Sequence, residues 1–103
     1  MEKPTDISVV ILCYKAASSI SEFVRDVKKL LEDRGLSYEM VLVANYNAHE
    51  QDTDQTPRVV KGLAACDPHI VVVSETKEGM MGWDLHSGLR AATGETIALI
   101  DGD

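Results

Sequence analysis

Ile7-Ser8-Val9-Val10-Ile11-Leu12-Cys13-Tyr14 is a nearly continuous apolar run, rich in β-branched residues. A strand with one wet face alternates apolar and polar side chains. A run without that alternation is expected where both faces are buried, as in a parallel sheet. Three more stretches read the same way: Glu39–Ala44, Ile70–Val73 and Thr96–Ile100. Helical patterns lie between them. Ile20, Phe23, Val24, Val27, Leu30 and Leu31 recur at helical spacing and form one apolar stripe. Glu22, Arg25, Asp26, Lys28, Lys29, Glu32 and Asp33 fall on its polar side. Ser19-Ile20-Ser21-Glu22 predicts a capping box, and Gly35 predicts the C-terminal stop. A polar, turn-rich loop covers Asn45–Gln55. Thr56 then suits an N-cap, with Pro57 at the first helical position and Val59, Val60, Leu63 and Ala64 facing the core. That helix should end near Cys66-Asp67-Pro68. A glycine-containing loop, Lys77–Gly82, leads into a third helix carrying Leu85, Leu89 and Ala92 and closed by Thr93-Gly94.

The order is β-α-β-α-β-α-β. Strands joined by helices of this length pair in parallel through right-handed crossovers. The expected fold is therefore α/β: a three-layer, Rossmann-like, mostly parallel four-stranded sheet with both faces covered. Ligands of such sheets bind at the carboxyl ends of the strands. Those ends carry Cys13-Tyr14-Lys15, Asn45-Tyr46-Asn47, Ser74-Glu75 and Asp101-Gly102-Asp103.

Composition narrows the function. The 103 residues suffice for one small domain with one core. Seventeen acidic residues against ten basic ones leave a net charge of −7. That balance argues against capture of nucleic acid, which needs a basic surface, and against docking on anionic lipid. An anionic ligand would need a bound cation or local backbone N–H groups. No apolar run approaches the roughly 20 residues that span a bilayer. The charged Met1–Asp6 segment is not followed by a long apolar run with a cleavage site. A cytoplasmic chain is expected, its longer parent at the cytoplasmic face of a membrane. Cys13 and Cys66 match no zinc spacing and read as two buried reduced thiols.

Asp101-Gly102-Asp103 carries the most chemistry. Carboxylates at i and i+2 after a buried strand can turn towards one hard cation, and the glycine lets the backbone bend there. Mg²⁺ takes one or two carboxylates and completes its shell with waters and substrate phosphates; Mn²⁺ suits the same oxygens. Taken alone, the motif reads as an ordinary acidic turn. Its place after the fourth strand is what gives it weight.

Other nucleotide-binding architectures lack their signatures. Tyr14-Lys15-Ala16-Ala17-Ser18 stands where a dinucleotide enzyme carries Gly-x-Gly-x-x-Gly. No Gly-x-x-x-x-Gly-Lys-Ser/Thr is present. Cys13-Tyr14-Lys15 occupies the place of a phospho-receiver's acidic pocket.

The segments Gly82-Trp83-Asp84-Leu85-His86-Ser87-Gly88-Leu89-Arg90-Ala91-Ala92-Thr93-Gly94-Glu95 and Ile97-Ala98-Leu99-Ile100-Asp101-Gly102-Asp103 are the most specific. With Val9–Lys15 and the Glu39 that opens the second strand, their order resembles family 2 of the inverting glycosyltransferases. The look is closest to the polyprenyl-phosphate sugar transferases. The resemblance covers nearly the whole chain and implies the N-terminal, nucleotide-sugar-binding half of a GT-A fold over residues 1–103. It implies transfer of a sugar from a GDP- or UDP-sugar, with inversion, to a polyprenyl phosphate or a glycan. By it, Cys13 and Tyr14 border the base or ribose, and Asn45, Gly82 and His86 belong to the nucleotide-sugar site. Asp101 lies near the ribose and, with Asp103, at a Mg²⁺ or Mn²⁺ ion. The family's general base lies well beyond the Asp-x-Asp motif, so no catalytic base is assigned here. A chain ending at Asp103 is expected to be inactive alone and to self-associate through an exposed apolar sheet edge or face.

The departures from the family pattern concern charge. Ala44 and Asn45 stand where an acidic pair is usual, and Met81 and His86 where related sequences often carry Lys and Arg. Asn45 keeps an acceptor and gains two donors but loses the charge. A non-catalytic nucleotide-binding or regulatory module is the alternative reading these departures favour. Several residues also have plainer readings. His49 and His69 read as solvent-facing loop residues, and Met80, Met81 and Trp83 as packing at the start of the third helix. Asp84 reads as a first-turn acid favoured by the helix dipole, and Tyr14 equally as strand-end packing or nucleotide contact.

Overall fold

The structure is a computed structural model that describes residues 5–13, 19–48, 55–77 and 81–101. Four strands and three helices alternate: β1 (Ile7–Leu12), α1 (Ile20–Asp33), β2 (Tyr38–Val43), α2 (Thr56–Cys66), β3 (Ile70–Val73), α3 (Met81–Ala91) and β4 (Thr96–Asp101). The strands pair in the order β3-β2-β1-β4, and every pair is parallel. The chain thus builds outward from β1 to β3 and then crosses back to place β4 on β1's other side.

Period-two alternation of side chains divides the core into two layers. Val9, Ile11, Met40 and Leu42 point to one face, where they meet Ile20, Val24 and Leu31 of α1 and Val60 of α2. Val10, Leu12, Val41 and Val43 point to the other and meet Ala91 and Ala92 at the end of α3. Val10, Ile11, Val41 and Leu42 have no exposed surface. Burial on both faces is why these strands lack alternation.

α3 covers less than the sequence predicts. Ile97 and Leu99 of β4 lie on its side of the sheet yet remain 43% and 47% exposed. Leu89 on α3 is exposed too. Gly88 explains the phase of the helix. A Cβ there would stand 2.6 Å from Val10 Cγ1 and 2.8 Å from Val43 Cγ2, so only glycine allows α3 to lie this close to β1 and β2. Leu30 is likewise corrected: at the edge of the α1 stripe, it is solvent-exposed.

Helix ends follow chemistry that the sequence partly announces. Gly35, at φ 69°, sends its N–H to the Glu32 carbonyl, and Leu36 sends its own to Leu31. This double bond pattern is the Schellman stop, and glycine tolerates its left-handed backbone. The capping box is not formed. Ser19 is the N-cap, but its backbone is helical (φ −112°, ψ −13°) and its side chain makes no cap bond. Such a cap normally requires an extended residue. At α2 the N-cap is Gln55, so Thr56 and Pro57 sit one position deeper than expected. Cys66, expected buried, is exposed on the last turn of α2, whereas Cys13 is buried.

Two polar clusters tie the layers together at the amino ends of the strands. Glu39 Oε2 accepts from the Ser8 hydroxyl (2.5 Å), the Thr93 amide (2.7 Å) and the Thr93 hydroxyl (3.0 Å). Ser8 in turn accepts the Gly94 N–H at 2.7 Å. Burial alone would raise the Glu39 carboxyl, but these hydrogen bonds outweigh it and hold it below its ordinary value. A Cβ on Gly94 would lie 2.6 Å from the Ser8 backbone nitrogen. The Thr-Gly after α3 and the Glu that opens β2 are therefore two halves of one latch.

In the second cluster, Asp67 binds Lys28 Nζ (2.8 Å) and both the backbone N–H and Nδ1 of His69 (each 2.9 Å). The His69 ring stacks on Tyr38, centroids 4.5 Å apart, and Tyr38 donates to Glu32 at 2.8 Å. His69 is thus the exposed turn residue that the sequence predicts, with its ring also held in a network by Asp67 and Tyr38. Burial would raise the Asp67 carboxyl, yet its bonds from Lys28 and His69 bring it down to about 2. Among the described residues no helix is long and apolar enough to cross a membrane.

Candidate functional site

In an open parallel sheet the loops leave neighbouring strands in opposite directions where the strand order reverses. That divergence opens a crevice at the carboxyl ends. With the order β3-β2-β1-β4 the reversal lies between β1 and β4. Leu12 of β1 pairs in register with Asp101, the last residue of β4, so Asp101 stands, exposed, at the carboxyl end of this switch point. Cys13, one residue beyond β1, lies beside it along the sheet. Its thiol is buried and donates to the Ile11 carbonyl at 3.3 Å. Cys13 thus follows the residue that pairs with Asp101, but its side chain is buried in the α1 and α2 layer, whereas Asp101 shares the face of Leu12 on the α3 side. Tyr14 and Asp103 lie outside the described residues, as do His49 and Met80.

The other predicted residues gather at the end of β2. Asn45 is 1% exposed. Its Nδ2 donates to Asp84 Oδ1 and to Ser87 Oγ, each at 3.0 Å, and its Oδ1 accepts the Glu75 N–H at 2.8 Å. Tyr46 forms a parallel bridge to Thr76, and Lys77 N–H reaches the Tyr46 carbonyl at 2.7 Å, so β2 and β3 stay paired past their ends. Lys77 Nζ lies 2.9 Å from Asp84 Oδ2, and both side chains are under 10% exposed. Asp84 is in the first turn of α3, where the helix dipole favours an acid. Its buried pairing with Lys77 is a second reason for the acid. Gly82 and His86 are exposed on α3. At Gly82 a Cβ would meet nothing within 4 Å among the described residues, so packing does not demand glycine.

His86 also lines a narrow cavity with Glu75, Trp83, Ser87 and Arg90. Its volume of about 10 Å³ has room for roughly one water. Trp83 Nε1 is buried with no hydrogen-bond partner among the described residues. Sequence reasoning puts Glu75 at the carboxyl end of a strand but does not assign Lys77, Asp84 and Ser87 to the site or join any of the four to Asn45. Each is 30 or more positions from Asn45, and no local pattern joins them.

Among the described residues no group of three or more His, Cys, Asp or Glu comes together. A metal caged wholly by this part of the protein does not fit. A cation that takes one or two carboxylates and shares the rest of its shell with water and phosphate does fit an exposed Asp101 followed by a second aspartate.

Comparison with known proteins bears on this arrangement. The chain is 28% identical over its whole length to the succinoglycan biosynthesis protein ExoO of Rhizobium meliloti (strain 1021). It spans 27% of that protein's length. The family described as glycosyl transferase family 2 matches residues 8–103, from inside β1 through Asp103. The all-parallel sheet with helices on both faces is the N-terminal, Rossmann-like half of a GT-A fold, and the chain belongs to glycosyl transferase family 2.

Proposed function

We propose that this chain supplies the donor site of a sugar transferase, binding a nucleoside-diphosphate sugar across the carboxyl ends of β1 and β4. The observation that carries the proposal is the exposed Asp101 carboxylate at the switch point of the sheet. In this reading Cys13 and Tyr14 border the base or ribose, and Gly82 and His86 lie along the nucleotide sugar. Asp101 and Asp103 hold a Mg²⁺ or Mn²⁺ ion, which when bound supplies Lewis-acid stabilisation of the leaving diphosphate. A cation is needed on electrostatic grounds. The net charge is −7, and Lys77, just past the end of β3, is already paired with Asp84. At Gly82, exposed in the first turn of α3, a Cβ would meet nothing within 4 Å among the described residues, which favours approach of a phosphate to the backbone there.

The sugar is transferred with inversion. The relative's name, a succinoglycan biosynthesis protein, supports a glycan acceptor over a polyprenyl phosphate. The exposed Ile97 and Leu99 are the surface through which two isolated copies of the chain associate. The site is tested by calorimetric titration of GDP and UDP, with and without Mn²⁺, into the chain and an Asp103→Ala variant. Metal-dependent binding that the substitution abolishes is expected. Binding that ignores both metal and substitution would overturn the metal assignment. Absence of any binding, repeated on a chain extended beyond Asp103, would overturn the donor site.

A further inference from the structure

Asn45 occupies the position where the family resemblance expects an acid, and its amide is committed to the protein. Both Nδ2 hydrogens are given away, to Asp84 Oδ1 and Ser87 Oγ, and Oδ1 receives the Glu75 N–H. Asp84 divides its carboxylate between Asn45 and Lys77. Among the described residues, then, the buried Lys77 faces the buried Asp84, whose other carboxylate oxygen accepts from a neutral amide.

An aspartate at position 45 would upset that balance. Its oxygen would replace Nδ2, which now lies 3.0 Å from Asp84 Oδ1. Two carboxylates at that separation cannot both ionise without a large penalty, and Lys77 can neutralise only one. Removing the Asp84 charge instead would take from Lys77 the buried carboxylate that lies 2.9 Å from its Nζ. Changing both restores the count. An aspartate at 45 could accept from an asparagine amide at 84, whose carbonyl oxygen could face Lys77.

We infer that Asn45, Asp84 and Lys77 form one positioning unit that fastens the first turn of α3 to the carboxyl end of β2. The acid of this corner sits on α3 instead of β2, and an aspartate is accepted at 45 only when Asp84 is neutral. Asn45 then acts through α3, holding Gly82 and His86 in place, and does not itself read a base. Only this last consequence rests on the donor-site reading.

The test is a double-mutant cycle on the 103-residue chain: Asn45→Asp, Asp84→Asn and the reciprocal double variant. Urea unfolding and amide hydrogen exchange along α3 are the readouts. Each single substitution should lower α3 protection by roughly tenfold or more, as loss of a buried charge-assisted bond implies. The double variant should return to within about threefold of the parent, because coupled neighbours are non-additive. A single variant that fails to fold while the double variant folds supports the unit. Losses that simply add, or a double variant that does not fold, overturn it. Titration of the same variants with UDP, GDP and Mn²⁺ keeps the two readings apart. Rescue of exchange without any nucleotide binding would leave the unit standing and count against the donor site.

Discussion

Replacing Gly88 by alanine should destabilise the protein, while the same replacement at Gly62 should stabilise it. Both glycines lie inside helices, α3 and α2 respectively. In each, alanine gains about 0.8–1 kcal/mol of helix propensity. The surroundings differ. A Cβ at Gly62 meets nothing within 4 Å, whereas one at Gly88 meets Val10 Cγ1 at 2.6 Å and Val43 Cγ2 at 2.8 Å. Both valines are buried at the centre of the sheet, and branching at Cβ leaves them little rotamer freedom. The helix must therefore lift, at an overpacking cost of about 1–3 kcal/mol. The propensity gain is common to both sites, so the difference between the two variants isolates the packing cost. Gly62→Ala should raise stability by about 1 kcal/mol and Gly88→Ala should lower it by up to about 2 kcal/mol. In a domain of this size, each kcal/mol moves Tm by about 4–8 °C. Urea titrations with unchanged m-values would read the difference directly. If Gly88→Ala proved as stabilising as Gly62→Ala, the close approach of α3 to β1 and β2 would be refuted.

Two further predictions concern pH and charge. Glu39 has a depressed folded-state carboxyl, so its contribution is present above its unfolded value of 4.5 and is lost as pH falls through the lower folded value. Unfolding free energy should fall on acidification below about pH 4.5, and in Glu39→Gln that part of the slope should vanish. An unchanged slope would show that the latch on Thr93 is not carried by the charge. Asp67 follows the same sign, its share being lost as pH falls from 3.8 towards about 2. Asp67→Ala should cost about 1 kcal/mol at neutral pH, because Lys28 and His69 lose a charged partner but are themselves screened by solvent. A loss under about 0.5 kcal/mol, within the range of ordinary surface substitutions, would mean the cluster is only decorative.

Much of the fold can be read directly. The unalternating runs of β1 and β2 are buried between two apolar layers, as parallel strands with flanking helices require, whereas the like run of β4 leaves Ile97 and Leu99 exposed, which the sequence does not announce. Gly35 announces its helix stop because few other residues adopt φ 69° without strain. Helix starts are less legible. Ser19 and Thr56 have the right chemistry, but a cap depends on a backbone conformation that composition does not specify. Leu30 and Leu89 sit where the helical period allows burial but where no neighbour arrives to cover them.

The amino-acid order by itself determined the element sequence, the acidic end of the fourth strand and the family. These depend on residue type and on neighbours a few positions away. Tertiary structure decided the rest. It put β4 beside β1, which sets the switch point of the sheet next to Asp101. It joined Thr93-Gly94 and Glu39 into one latch across 54 residues. It turned Asn45 inward onto Asp84, 39 positions away. Hydrogen bonds and ion pairs act over about 3 Å of space whatever their separation along the chain. Only the folded arrangement says which polar groups are close enough to bind a ligand and which are already bound to each other.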